Sequence, residues 1–147
     1  EIPKRDWSSD VCSSDLGEVH DGIVTFGAVE LTLQGGVPIS AVLTTNRNRH
    51  SSVPPEFWRA LTSIMPRELW LPFTAIAFLE SDYVQDVKNP SNLEESWGVL
   101  QVNRRAWPDY SVAQLTTYFG NITAAWRIYQ AQGFGAWYNS AKLAGLL

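Results

Sequence analysis

Cysteine is nearly missing from this chain: the single one, Cys12, has no partner for an internal disulfide and cannot build a thiolate metal cluster. Histidine is almost as scarce. His20 and His50 lie far apart in sequence, so neither a zinc cage nor a serine–histidine relay finds its residues here. Positive charge is in deficit, with 11 Lys and Arg against 15 Asp and Glu for a net charge of −4. No basic stripe is available along which a nucleic acid could lie. The longest apolar run, Leu69 to Leu79, is too short to span a membrane and carries Pro72. These shortages predict a domain without metal, cofactor, nucleic-acid partner or membrane span, folding as a monomer or as part of a longer chain.

The 147 residues leave room for one compact domain with a real core and an appendage. Residues 1–16 are set apart as a disordered addition. Asp6-Trp7-Ser8-Ser9-Asp10-Val11-Cys12-Ser13-Ser14-Asp15-Leu16 resembles the conceptual translation of a sequencing-adapter oligonucleotide and has no hydrophobic period. Cys12 lies inside it, so the natural N-terminus and any leader are not given by the chain. Residues 17–52 read as a β-hairpin and a polar linker. Ile23 to Phe26, Val29 to Leu33 and Val37 to Thr45 favour strands, with a turn at Gln34-Gly35-Gly36. Thr44 to Ser52, with Asn46-Arg47-Asn48-Arg49-His50, is polar throughout and reads as a solvated connection.

Helical signals dominate residues 53–147, giving an α+β, mostly α, fold class. Pro54-Pro55-Glu56 can open a helix whose stripe is Phe57, Ala60, Leu61 and Ile64, ending before Pro66. A second start, at Pro66 or Pro72, leads into Phe73 to Ser81. Ser111-x-x-Gln114 is a capping-box signature for a helix through Tyr118, Asn121 is placed to cap the next, and Gly133 to end it. Aromatic residues are abundant, with 7 Trp. Tyr118, Tyr129 and Trp137 are assigned to the core, while Trp97 and Tyr110 divide between core packing and stacking on a sugar ring.

Glu80 stands out within this pattern. Its helical neighbours at i−3, i−4 and i−7 are Ala77, Ile76 and Phe73, so an acid shares a face with apolar side chains. It also falls near the helix C-terminus, where the backbone dipole disfavours negative charge. Desolvation and dipole both push a carboxyl pKa upward, which is the condition a general acid needs. Downstream, Gln101 and Asn103 sit at period-two spacing, and in an extended segment both amides face one side. Gly98 offers close backbone approach.

Glu80-Ser81 followed by Ser96-Trp97-Gly98-x-x-Gln101-x-Asn103 resembles the "E-S … S-x-G-L-x-Q-x-N" pattern of the lysozyme-like superfamily, in its soluble lytic transglycosylase and goose-type lysozyme branch. Asn121-Ile122-Thr123-Ala124-Ala125-Trp126-Arg127-Ile128-Tyr129 is similar to that family's "N-x-x-A-A-x-x-(I/L)-Y" helix. Gly133-Phe134-Gly135-Ala136-Trp137-Tyr138-Asn139-Ser140 is similar to its closing segment. The chain departs from the pattern at Asp82, where Gly is common, and at Ser140-Ala141-Lys142-Leu143, where Ser-Gly-x-Tyr is expected.

The resemblance implies a lysozyme-like domain over residues 53–147 that cleaves the β-1,4 glycan of peptidoglycan, with Glu80 as the catalytic acid. Ser81, Ser96, Trp97, Gly98, Gln101, Asn103 and Tyr110 would contact substrate. It implies a lytic transglycosylase before a lysozyme, acting at a cell wall after secretion or on a phage virion. For a hydrolase, Glu94 and Asp109 are the leading candidates for a second carboxylate, ahead of Asp82, Asp86 and Glu95, with a cap or loop-stabilising role for Glu94 standing equally beside that reading. Two other classes stay open: a non-catalytic wall-binding or phage tail module of the same fold, and a chitin-active glycosidase.

Overall fold

A computed structural model describes residues 21–147; the expectations for residues 1–16, and the first four residues of the segment 17–52, lie outside the described residues. Four strands open the fold: β1 (Gly22–Phe26), β2 (Val29–Gln34), β3 (Val37–Leu43) and β4 (Asn46–Ser52). They form an antiparallel meander in the order β1-β2-β3-β4. The Gly35-Gly36 turn has φ of 60° and 80°, the paired left-handed geometry that a tight hairpin needs. The expected hairpin is therefore present, but the expected linker is not. Asn46–Ser52 pairs with β3, Ala41 opposite Ser51 and Val42 opposite His50. An edge strand needs only one ladder of backbone bonds, so an all-polar sequence can occupy it when one face meets solvent.

Alternation along β2 buries Val29, Leu31 and Leu33, and Ala41 of β3 joins them. This face packs on the helix that carries Glu80. The sheet also meets the chain's end: the Ala28 N–H donates to the Leu143 carbonyl at 2.8 Å. Next to it Gly27 has φ of 54°, and a Cβ there would collide with the Leu143 and Ala144 backbone. Residues 21–52 are thus built onto the helical part and share its core.

Helix α1 (Pro55–Ile64) starts with proline in its first turn and buries Phe57, Ala60 and Leu61, as the stripe predicts. A 3-10 turn (Arg67–Leu69) leads into α2 (Trp70–Ser81), in which Pro72 to Phe78 are all buried. Helix α2 is apolar on every side because sheet, α1 and the closing segment surround it. A two-stranded hairpin follows, β5 (Ser96–Trp97) and β6 (Val102–Asn103). Helix α3 (Val112–Leu115) carries the full capping box between Ser111 and Gln114 but ends before Tyr118.

Helix α4 (Tyr118–Gln132) is capped by Thr117, whose side chain accepts from the Gly120 N–H. The expectation that Asn121 caps this helix is wrong, because Asn121 lies inside it and is fully buried. Gly133, at φ 63°, ends α4 as predicted. A second 3-10 turn (Gly133–Trp137) and α5 (Tyr138–Leu143) close the chain. The Phe73 ring of α2 meets Trp137 edge-on at 5.0 Å and Tyr129 at 5.7 Å, so the closing segment packs on the helix that carries Glu80. The observed class is α+β.

Candidate active site

The last turn of α2 is held by three devices. Asp82 leaves the helix in the left-handed conformation, φ 51°, with its N–H on the Phe78 carbonyl. From β4, the Arg49 guanidinium donates to the Phe78 and Leu79 carbonyls at 2.9 and 3.1 Å. It also pairs with Asp82 at 3.3 Å and lies over the Phe78 ring at 4.9 Å. A cation on orphan C-terminal carbonyls is the complement the helix end requires. Third, the Ser81 hydroxyl, buried, reaches the Ala77 and Val99 carbonyls at 3.1 and 2.7 Å. Ser81, expected as a ligand contact, thus latches α2 to the β5–β6 turn in this structure.

Glu80 emerges half-buried from this turn. Its Oε2 accepts a hydrogen bond from the buried Ser140 of α5 at 2.7 Å. Burial raises the carboxyl pKa above its ordinary value; the Ser140 bond acts in the opposite direction, and the negative charge of Glu94 adds to the rise. The direction agrees with the sequence argument, with desolvation as the leading cause. In the sequence, Ser140 figures only within the closing motif. Its 60-residue separation from Glu80 hides the contact.

Glu94 is fixed from two sides. Ser96 Oγ donates to its Oε2 at 2.6 Å and Asn89 Nδ2 to its Oε1 at 3.2 Å. Ser96 is buried and so positions Glu94 rather than meeting a ligand directly. Residues 87–89 run alongside the hairpin, with the Asn89 N–H on the Ser96 carbonyl and the Gly98 N–H on the Val87 carbonyl, both at 2.9 Å. This isolated bridge, Lys88 opposite Trp97, sets the loop that carries Glu94. The adjacent Glu95 faces other partners. It accepts from Trp97 Nε1 at 3.1 Å and from Arg104 at 2.7 Å, which together hold its pKa below the usual range.

The hairpin turn corrects two further expectations. Gly98, at φ 82°, packs so tightly that a Cβ would collide with the Leu115 carbonyl and the Asn121 side chain. Its close approach is to its own chain. Gln101 is not extended: at φ 49° it folds its amide nitrogen onto the Gly98 and Val87 carbonyls at 2.9 and 3.2 Å. Asn103 Oδ1 accepts from the Glu95 and Arg105 N–H groups at 3.1 and 3.0 Å. Both residues organise the loop. Both residues are half-buried, and among the described residues the side-chain oxygen of Gln101 and the side-chain nitrogen of Asn103 have no partner.

Asn121 ties the turn together from below. Its Oδ1 accepts from the Leu100 N–H at 2.9 Å, and its Nδ2 donates to the Trp97 and Leu115 carbonyls at 2.8 Å each. Trp137 Nε1 donates to the Leu100 carbonyl at 2.8 Å, so Leu100 is clamped at both its N–H and its carbonyl. Trp97 is half-buried against the core. Tyr110 and Asp109 line another cavity, and Asp109 is not among the groups acting on Glu80. Of the two leading second-carboxylate candidates, Glu94 alone acts on the acid. Among the described residues no group of three His, Cys, Asp or Glu side chains could hold a metal, and no helix is long and apolar enough to cross a membrane.

Chemically, the arrangement offers a half-buried carboxylic acid with one oxygen occupied by a hydroxyl donor, and a second, firmly held carboxylate within electrostatic reach. No family model and no curated protein matches the chain.

Proposed function

We propose that this domain is lysozyme-like and cleaves the β-1,4 glycan of bacterial peptidoglycan, with Glu80 as the acid. The observation that carries the reading is Glu80 itself, a carboxyl whose pKa is raised by burial and whose orientation Ser140 holds from another helix. Ser140 donates to Oε2 and orients the carboxyl, which leaves Oε1 as the oxygen that carries the transferable proton in this reading. Oε1 delivers it to the glycosidic oxygen, the C1–oxygen bond breaks, and the departing sugar leaves with a new hydroxyl. In the transglycosylase course, the cationic sugar's own 6-hydroxyl closes on C1 and returns its proton to Glu80. One acid then serves both steps, and the product carries a 1,6-anhydro end. The order of motifs from Glu80-Ser81 to Ser140 supports glycan cleavage by a single glutamic acid.

A hydrolytic course has one observation in its favour: Glu94 is held firmly by Ser96 and Asn89, its negative charge adds to the rise in the Glu80 pKa, and it can assist an attacking water. Mass spectrometry of the products released from purified peptidoglycan separates the two. Anhydro ends support the transglycosylase, reducing ends support hydrolysis with Glu94, and intact glycan refutes both.

A further inference from the structure

The segment that follows the β5–β6 hairpin, together with α3 and α4, builds a second concave site. It is a cavity of about 550 Å³ lined in part by Trp107, Pro108, Asp109, Tyr110, Gln114 and Arg127, and its walls include neither Glu80 nor Glu94 nor Ser140. The volume lies within the range of small-ligand sites. Two aromatic residues of this lining, Trp107 and Tyr110, are half-buried and pack against the core. Their polar ends have not been used: among the described residues the Trp107 indole N–H and the Tyr110 hydroxyl have no partner. Nor do the exposed Asp109 carboxylate and Arg127 guanidinium, although ion pairs form at Arg47–Glu30, Arg49–Asp82 and Arg104–Glu95.

Two anchored aromatic side chains, an indole donor, an acceptor carboxylate and a donor guanidinium around one cavity match a ring with apolar C–H faces and a hydroxyl rim. The two opposite charges make the site poor for a phosphate or a polycation and suited to a neutral ligand. We propose that this cavity is a second saccharide-binding site, taking a neutral β-1,4-linked N-acetylated amino-sugar segment away from the Glu80 cluster. The identity of the sugar rests on the glycan reading of the Glu80 site. The cavity's own chemistry supplies the saccharide class. Arg104 ties it to the first site, donating from Nε to the Tyr110 carbonyl at 2.8 Å and from its other end to Glu95 at 2.7 Å. A glycan strand held here gains affinity without touching the acid.

The test uses the full chain carrying Glu80→Gln and, as probe, the β-1,4-linked tetramer of N-acetylglucosamine. Its titration is followed at the Trp107 indole N–H resonance, assigned with Trp107→Phe. The indole signal is expected to shift saturably, and Arg127→Gln or Asp109→Asn, both exposed, to weaken that titration about tenfold with unchanged thermal unfolding. An indole that stays still while β5–β6 resonances move overturns the second site and leaves the proposed function intact. A soluble stem peptide that moves the indole where the tetramer does not overturns the saccharide assignment. An indole that titrates in a chain whose unsubstituted form leaves peptidoglycan uncut upholds the site and sinks the cleavage reading.

Discussion

Replacing Asn121 by Leu tests whether the hairpin beside Glu94 is held as described. Asn121 is fully buried, and its amide serves three backbone groups, the Leu100 N–H and the carbonyls of Trp97 and Leu115, at 2.8–2.9 Å. Leucine has the same branched shape, so no cavity opens; the loss is that of three partners, to which crowding of its methyls against the Trp97 and Leu115 carbonyls adds. A buried backbone group left unpaired costs about 1–3 kcal/mol, and the three share one relaxation, so roughly 3–6 kcal/mol is expected. A domain has only about 5–15 kcal/mol of stability to lose. With a urea dependence of about 1–3 kcal/mol per molar, the midpoint should fall by on the order of 2 M at unchanged slope. Circular dichroism during urea titration reads it directly. A midpoint shift under about 0.5 M would refute the reasoning. Asn121→Asp keeps the acceptor for Leu100 but loses donors, and its buried carboxyl ionises at a cost, so its deficit should grow as pH rises.

Three further outcomes follow from the same geometry. Because burial raises the Glu80 pKa in the folded state, ionising it opposes folding: the stabilising protonated form is fully present below the ordinary value of 4.5, and stability is lost as pH rises through the folded-state pKa. Thermal melts of Glu80→Gln should therefore coincide with the unsubstituted chain at low pH and lie higher at neutral pH; the opposite order contradicts the burial argument. Ser140→Ala removes the bond that favours the ionised carboxylate, so the alkaline limb of the pH–rate profile should move to higher pH while the maximal rate falls, and a limb moving downward would be inconsistent. Arg49→Met strips two charge-assisted bonds from the end of α2 at a partly exposed site, where screening reduces their worth; about 1–3 kcal/mol should be lost in chemical denaturation, and no loss would remove Arg49 as a clamp.

Local signals are legible in the sequence where the physics is local. The Ser111–Gln114 capping box, the Gly133 stop, the Gly35-Gly36 turn and the apolar face behind Glu80 each depend on residues within a turn or two, and each is where the spacing puts it. Side chains whose partners lie far along the chain mislead. Asn121 looks like a cap because Asn caps helices, yet its partners are up to 24 residues away. Asn46–Ser52 looks like a linker because it is polar, but Arg49 is needed on an edge strand to meet carbonyls 29 and 30 residues downstream. Ser81 and Gly98, both within a candidate catalytic motif, serve its scaffold. Ser140 is the opposite case, a contact with the acid that no spacing rule connects to Glu80.

The most direct test of the account is the initial rate at which the full chain releases soluble fragments from labelled peptidoglycan, measured beside Glu80→Gln with matched circular dichroism. General-acid catalysis contributes about 10²–10⁴-fold, so the variant should lose about that much while remaining folded. A folded Glu80→Gln that works within about tenfold of the unsubstituted chain would contradict the assignment of Glu80 as the acid.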